Sequence, residues 1–531
     1  MLNLLLFSCA RVGAPNGGTR DSLAPRFLGS NIDTTRLNVS RTVKELRLDF
    51  DEYVMLKDFN KNFNVSPPIK KIKKVIPSNL ANKYVLIQWE DTLQANTTYN
   101  FNFGNAIVDN NESNPLPYFN FAFSTGDKID DLFVSGTVKD AMTLIKENQT
   151  AKDNKMVVGL YKAGENLDYK QKPDYITKVD EENYFELNFL PKGEFVIIAF
   201  DDENQNSVYD AGKEKVSFLK EKITLDSTSV RGLKLKLYPS KKMVKYKESK
   251  AINGGLLMTF EGNPETVDVK SLSEDLKDFK VTHAKRSDSV NIWFNAEKSN
   301  LGGTVSKQVK LSYFTPTISD TISVSYKAVK DEFKLSNEAG NLIAPENNFV
   351  INTSLPIENL NTSSWKLESD SIAQDFTAKV SEKNPFKILV NSSFKPTKKY
   401  VLTIPKETVS SYYSSNDKSF QFQFEIDKPE NYGSFTAVIK NKPTAKFWVE
   451  LTNEKGEILY SQFTNASEVS FKNLKPATYI ARIRVDNNGN GFWDEADFAQ
   501  NIAAEDVYIF EKEINVRPLW EIKEDWELTN H

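Results

Sequence analysis

The sequence predicts an all-β chain of tandem β-sandwiches in an elongated, multi-domain arrangement. Three observations carry that expectation. Aromatic residues make up 12% of the 531 residues, with 35 Phe and 20 Tyr, and they alternate with polar residues in short runs. Such alternation is the mark of half-buried strands. One stretch occurs twice, at 187–210 and 471–494, under a constant shift of 284 residues, and a repeated supersecondary unit signals modular construction. No segment sustains an apolar period of 3.6 residues, so little helix is expected.

Composition also removes whole classes of chemistry. Lys plus Arg number 68 against 72 Asp plus Glu, a net charge of -4. A nucleic-acid binder needs a basic face to displace counterions from phosphates, so no nucleic-acid partner is expected. There are two histidines, His283 and His531, and one cysteine, Cys9. A Ser-His-Asp triad, a Cys nucleophile and a zinc site of imidazoles or thiolates are therefore out of reach. Carboxylate-only chemistry survives this cut. A single thiol leaves no internal disulfide, so stability has to come from packing.

The chain opens on a short apolar run, Met1 to Phe7, followed by Ser8 and Cys9. That run is too short to cross a bilayer, which takes about 20 apolar residues. Residues 1–8 read as a signal-peptide remnant, and 9–24, with Gly, Ala, Pro and Asn, as a flexible tether. From 25 to 126 strand follows strand: Leu46-Arg-Leu-Asp-Phe50 alternates, 84–89 and 93–103 follow, and 119–126 closes the unit. A second sandwich spans 131–238 and contains the first copy of the repeat. A third, at 245–333, reads as a spacer with strands near 256–260, 290–294, 309–314 and 322–326. From 336 to 427 the pattern of the first unit returns, with 394–404 lying 301 residues after 93–103. The last unit, 432–522, repeats the second.

Particular residues also carry family resemblances. Leu6-Phe7-Ser8-Cys9 resembles a bacterial lipobox, which implies lipidation of Cys9. Cys9, Gly13, Pro15, Gly17 and Gly18 are similar to the start of mature outer-membrane lipoproteins of Bacteroidota, though one residue longer. Phe50-Asp-Glu-Tyr-Val54, 93–103 and 121–126 resemble the SbsA-type Ig-like domain, and the strand order at 131–238 resembles a transthyretin-like or carboxypeptidase-regulatory-like sandwich, a module usually without catalysis. These resemblances imply an Ig-like domain, a transthyretin-like sandwich, a spacer, a second Ig-like domain and a second transthyretin-like sandwich. They place the protein in the outer membrane, held by an N-terminal lipid.

Ligand-binding chemistry concentrates in the repeat. Each copy ends in Asp-x-Asn-x-Asn-x-x-aromatic-Asp: Asp202, Asn204, Asn206, Tyr209 and Asp210, then Asp486, Asn488, Asn490, Trp493 and Asp494. Carboxylate and amide oxygens at alternate positions can converge on a hard cation, as in the 12-residue calcium loop. Counted that way, Asp486, Asn488, Asn490, Asp494 and Asp497 form a candidate calcium site, with Gly491 at the sharp turn. Asp202, Asn204, Asn206 and Asp210 form a poorer one, with Ser207 for the glycine, Lys213 at the last position and Glu214 one place late. The same residues also make tight turns without any metal, by bonding their own backbone. Tyr209 and Trp493 are expected to be buried over these turns.

The function expected from these features is that of a non-catalytic outer-membrane lipoprotein. It would act as a structural or interaction subunit of an envelope complex for assembly, export or uptake, with other envelope proteins as partners. A glycan-binding or adhesion protein is the alternative. A carboxylate-based glycosidase is a third reading, which requires two facing carboxyl groups about 5 to 9.5 Å apart in a cleft.

Overall fold

The computed structural model describes residues 21–144, 155–164, 168–329, 333–338 and 340–528. Cys9 and residues 1–20 of the signal remnant and tether lie outside the described residues. Among the described residues helix is confined to single turns, Phe59–Asn62 and the 3-10 turn Pro429–Asn431. The accessible surface is 30452 Å², against about 19,000 Å² for a compact monomer of the same mass. The chain is elongated and built of separate sandwiches, each with its own core.

In the first module one sheet runs in the order Phe27–Ser30, Glu45–Leu56, Asn82–Trp89, Ile72–Ile76, and the other joins Asn64–Ser66, Thr98–Gly104 and Phe119–Ser124. Alternation decides the packing. Leu46, Leu48 and Phe50 point inward and meet Phe101, Phe103, Phe121 and Phe123, while the intervening Arg47 and Asp49 pair with each other outside. The fourth module repeats this order with Leu335–Asn337, Phe349–Thr353, Lys387–Ser392 and Phe376–Val380 in one sheet. Tyr99 accepts a hydrogen bond on its hydroxyl from Gln94 N at 2.8 Å, and Tyr400 from Lys395 N at 2.9 Å, so the 301-residue repeat extends to a side-chain lock.

The second and fifth modules share another topology. In the second, Tyr175–Lys178, Met156–Lys162, Gly193–Asp201 and Val216–Phe218 form one sheet; Tyr184–Leu190, Leu132–Asp140 and Val230–Leu237 form the other, the last strand parallel to its neighbour. In the fifth, the matching strands are Ile458–Thr464, Phe447–Thr452, Ala477–Val485 and Val507–Val516, faced by Glu468–Leu474, Gly433–Lys440 and the parallel Glu521–Glu527. Tyr184–Leu190 and Gly193–Asp201 map onto Glu468–Leu474 and Ala477–Val485 with the 284-residue shift intact. The third module, from Lys245–Ile252 to Ser319–Tyr326, packs two sheets of its own. Its Trp293 reaches into the core of the fourth.

The modules do not simply follow one another. The fifth returns to the second, and a separate apolar cluster joins them: Val157, Tyr161, Ile198, Phe200 and Tyr209 from one, Ala496 and Phe498 from the other.

Candidate functional site

Both copies of the repeat run from a central strand into the Asp/Asn loop, and the loops fold alike. In the second copy the N–H groups of Asn490 and Gly491 each donate to an Oδ atom of Asp486 at 3.0 Å. Asn488 Oδ1 accepts from Asn490 N at 3.0 Å, and Asn490 Oδ1 from Phe492 N at 2.8 Å. The first copy repeats this bond for bond: Asn206 N and Ser207 N donate to Asp202 at 3.0 Å, and Val208 N donates to Asn206 Oδ1 at 2.6 Å. Two turn positions differ. Gly489 and Gly491 take φ +72° and +82° without a side chain, whereas Gln205 and Ser207 hold φ +59° and +61° with one.

The remaining amide groups close the loop. Asn488 Nδ2 and Asn490 Nδ2 donate to Asp494 Oδ2 at 2.5 and 2.8 Å, and Asn204 Nδ2 donates to Asp210 Oδ2 at 2.7 Å. The structure therefore brings Asp486, Asn488, Asn490 and Asp494 together, and likewise Asp202, Asn204, Asn206 and Asp210. Asp497 does not join them. The chain turns after Asp494 into a hairpin in which Asp497 pairs with Ile502, and its Oδ1 accepts from Gln500 N at 3.2 Å.

A different carboxylate takes that place. Glu505, 6% exposed, accepts from Asn488 N at 3.2 Å and from Asp494 N at 2.9 Å. Glu214, 2% exposed, does the same for Glu203 N at 3.1 Å and Asp210 N at 2.8 Å. Burial pushes the Glu214 carboxyl up to about 7, and the nearby Asp202 adds to the effect. Burial also raises Glu505. Each loop thus encloses two buried carboxyl groups, Asp202 with Glu214 and Asp486 with Glu505. Constant spacing from Asp486 missed Glu505 because the shift between copies grows from 284 to 291 after Asp494, an insertion of seven residues.

Oxygen donors of this kind suit calcium. Among the described residues no three His, Cys, Asp or Glu side chains are placed to hold a metal by themselves. A cation here would draw on amide and main-chain oxygens as well, and Asn488 and Asn490 would have to turn oxygen instead of nitrogen toward Asp494.

The insertion is also the joint between modules. Phe498, 5% exposed, sits with its ring 4.4 Å from Tyr169, 5.1 Å from Phe218 and 5.9 Å from Tyr209. Ala496 N donates to Pro239 O at 3.1 Å and Lys241 N to Ala496 O at 2.8 Å, so the insert pairs with the link between the second and third modules. From the third module Arg286 reaches Asp494 Oδ1 at 2.6 Å and Glu265 Oε1 at 2.5 Å, its guanidinium over the Phe492 ring. Burial alone would raise the Asp494 carboxyl, but donors from Asn488, Arg286 and Asn490 outweigh it and hold Asp494 below its ordinary value. Tyr209 is buried in the joint as expected; Trp493 is half-buried, donating Nε1–H to Glu505 O at 3.1 Å.

Residues 21–125 match the family model of the bacterial Ig-like domain. The first module is an Ig-like domain. No curated protein matches the chain. Among solved structures, surface layer protein SbsC, domains 1-6, is 11% identical over 93% of this chain and 67% of that one, with a TM-score of 0.16. SGBP-B of the Bacteroides ovatus mixed-linkage glucan utilization locus, in complex with a mixed-linkage heptasaccharide, is 10% identical over 74% and 97%, with a TM-score of 0.21. BcpA, the major pilin subunit of Bacillus cereus, is 10% identical over 75% and 99%, with a TM-score of 0.14.

Proposed function

We propose that this chain is a non-catalytic, lipid-anchored outer-membrane protein, acting as a structural or interaction subunit of an envelope complex for assembly, export or uptake. In this reading the second and fifth modules are transthyretin-like sandwiches and the fourth is a second Ig-like domain. The observation that supports the reading is the joint at Phe498, which ties the last module to the second and braces modules otherwise linked by short segments. A braced set of sandwiches holds its surfaces at fixed separations, which suits a scaffold. Cys9 supplies the attachment point.

The test is expression of the full chain and of Cys9→Ser in a bacterium of the lipoprotein-bearing class, with metabolic fatty-acid labelling, membrane fractionation and affinity purification after crosslinking. The Cys9 protein should be labelled, reside in the outer membrane and bring down a reproducible set of envelope proteins. The Cys9→Ser protein should be unlabelled and released. Identical fractionation of the two proteins, or recovery without any partner, would sink the reading.

A further inference from the structure

A cleft of about 1170 Å³ opens between the first and second modules. Strand Thr98–Gly104 sends Tyr99, Phe101 and Phe103 into the core, so Asn100 and Asn102 lie on its other face. In register, Asn102 stands opposite Asn64 on one neighbour and Asn120 on the other, which makes a row of amides across three strands. Facing the row, Asn188 Nδ2 donates to Glu186 Oε1 at 2.9 Å, and the Tyr184 hydroxyl donates to Glu186 Oε2 at 2.7 Å. The two walls are fixed to each other at the base, where Ile176 N donates to Ser66 Oγ at 3.2 Å and Asp130 N to Thr98 Oγ1 at 3.0 Å.

Only Asn102 in this row has its oxygen engaged, accepting from Gly104 N at 2.9 Å. Among the described residues the Oδ1 atoms of Asn64, Asn100 and Asn120 are buried and accept no hydrogen bond, and Asn100 is only 8% exposed. Asn100 and Asn120 line a small cavity of about 10 Å³ at the cleft floor, shared with Glu186 and Asn188; that is room for about one water or hydroxyl group. A buried acceptor without a donor is costly, and a ligand hydroxyl would relieve the cost. At the rim Tyr118 is 69% exposed and held at φ +52°, a backbone region uncommon for a bulky residue and concentrated at ligand sites. It is pinned there by Tyr118 N donating to Asn105 Oδ1 at 3.1 Å and by Asn120 Nδ2 donating to Tyr118 O at 2.9 Å.

The fold does not require any of this. In the fourth module Lys366, Thr403 and Gln421 occupy the register positions of Asn64, Asn102 and Asn120. The amide row is therefore not repeated in the fourth module. A primary amide offers a donor and an acceptor side by side, which matches neighbouring hydroxyls on a sugar ring, and a phenol face matches the ring's C–H face. Six carboxylates against four lysines line the cleft, so it has no net positive field to draw an anion.

We propose that this cleft binds a neutral oligosaccharide, with Tyr118 stacking on a sugar ring while Asn64, Asn102, Asn120, Glu186 and Asn188 hydrogen-bond its hydroxyls. The test is calorimetry and saturation-transfer NMR on the full chain with soluble gluco-, manno-, galacto- and xylo-oligosaccharides, and with sulfated and uronic-acid oligosaccharides for comparison. At least one neutral member should bind. Tyr118→Ala should weaken that binding about tenfold, and Asn188→Ala should weaken it as well, both with an unchanged melting temperature. Three results would overturn the proposal: no neutral member binds, only acidic members bind, or both variants bind as tightly as the parent.

Discussion

The rings of Phe498 and Tyr169 lie 4.4 Å apart, centroid to centroid, although one belongs to the fifth module and the other to the second. The contact exists because the outer face of the second module's larger sheet is apolar like its inner face. Val157, Tyr161, Ile198 and Phe200 point away from the sandwich core and have to be covered. Truncating Phe498 to Ala removes a buried aromatic side chain, a change that costs about 3–5 kcal/mol in a core. The expected result is loss of the joint with the modules intact. Small-angle scattering should show a larger radius of gyration for Phe498→Ala, while far-UV dichroism stays the same. An unchanged scattering curve would mean that Arg286–Asp494 and the Ala496 pairing hold the joint without the aromatic.

Much of the fold can be read from alternation. Leu46, Leu48 and Phe50, or Tyr99, Phe101 and Phe103, are buried where a period of two puts them. The 284-residue repeat is legible for the same reason, since the matched strands keep one length and one register. The joint is not legible, because its partner is chosen by tertiary packing far along the chain. One signal was present: strand Met156–Lys162 runs from Val157 to Tyr161 without a charged or amide side chain, and all five residues are buried, whereas a sandwich strand with one solvated face should alternate. Glu505 escaped because the insertion that holds Phe498 displaces it from the expected spacing. The amide row at Asn64, Asn102 and Asn120 was written in the alternation of 98–104, but its meaning depends on the second module facing it.

The raised carboxyl of Glu214 predicts an unusual pH response. Its folded-state value, about 7, lies above its ordinary 4.5. The folded protein therefore holds this proton more tightly than the unfolded chain does. Stability from this group grows as pH falls from above 7 toward 4.5, and is lost as pH climbs back through 7. Glu505 is raised too and acts in the same direction. Melting temperatures measured between pH 8 and pH 5 should rise on acidification. Glu214→Gln should flatten that slope and lower stability throughout, because its NH2 group would face a main-chain N–H that the carboxylate now accepts. A parent protein whose melting temperature falls steadily over the same range would contradict this account.

Calcium is expected to stabilise the second Asp/Asn loop more than the first. Asp486 and Glu505 are buried carboxyl groups whose hydrogen bonds come from main-chain N–H donors, and buried charges are normally paired or metal-bound. Gly491 gives this loop its turn without strain, an advantage the Ser207 loop lacks. A ligand at a hundred times its dissociation constant adds about 2.7 kcal/mol to stability. Calorimetric scans in calcium and in chelator should therefore separate for the parent and coincide for Asp486→Ala. Coincident scans for the parent would show that the loop's own hydrogen bonds suffice.

Glu450 marks the main difference between the two repeated sandwiches. Strand Phe447–Thr452 sends Phe447, Val449 and Leu451 into the core, so Glu450 lies on the face that in the second module receives Phe498. There it meets Arg482, with Nε at 2.9 Å and Nη2 at 2.6 Å from Oε2, and Arg484, whose Nε is 3.0 Å from Oε1. The Glu450 side chain is 1% exposed and that of Arg482 is 7%. Removing the carboxylate would strand two guanidinium groups, one of them buried, and breaking such a pair costs about 3–5 kcal/mol. Replacing the whole group with apolar residues of similar volume is often neutral, since the desolvation of all three charges is then avoided. Urea unfolding followed by tryptophan fluorescence should place Glu450→Ala well below the parent, and the triple variant Glu450→Leu, Arg482→Met, Arg484→Met close to it. Equal losses in the single and triple variants would mean that the ion triad adds net stability beyond avoiding an unpaired charge.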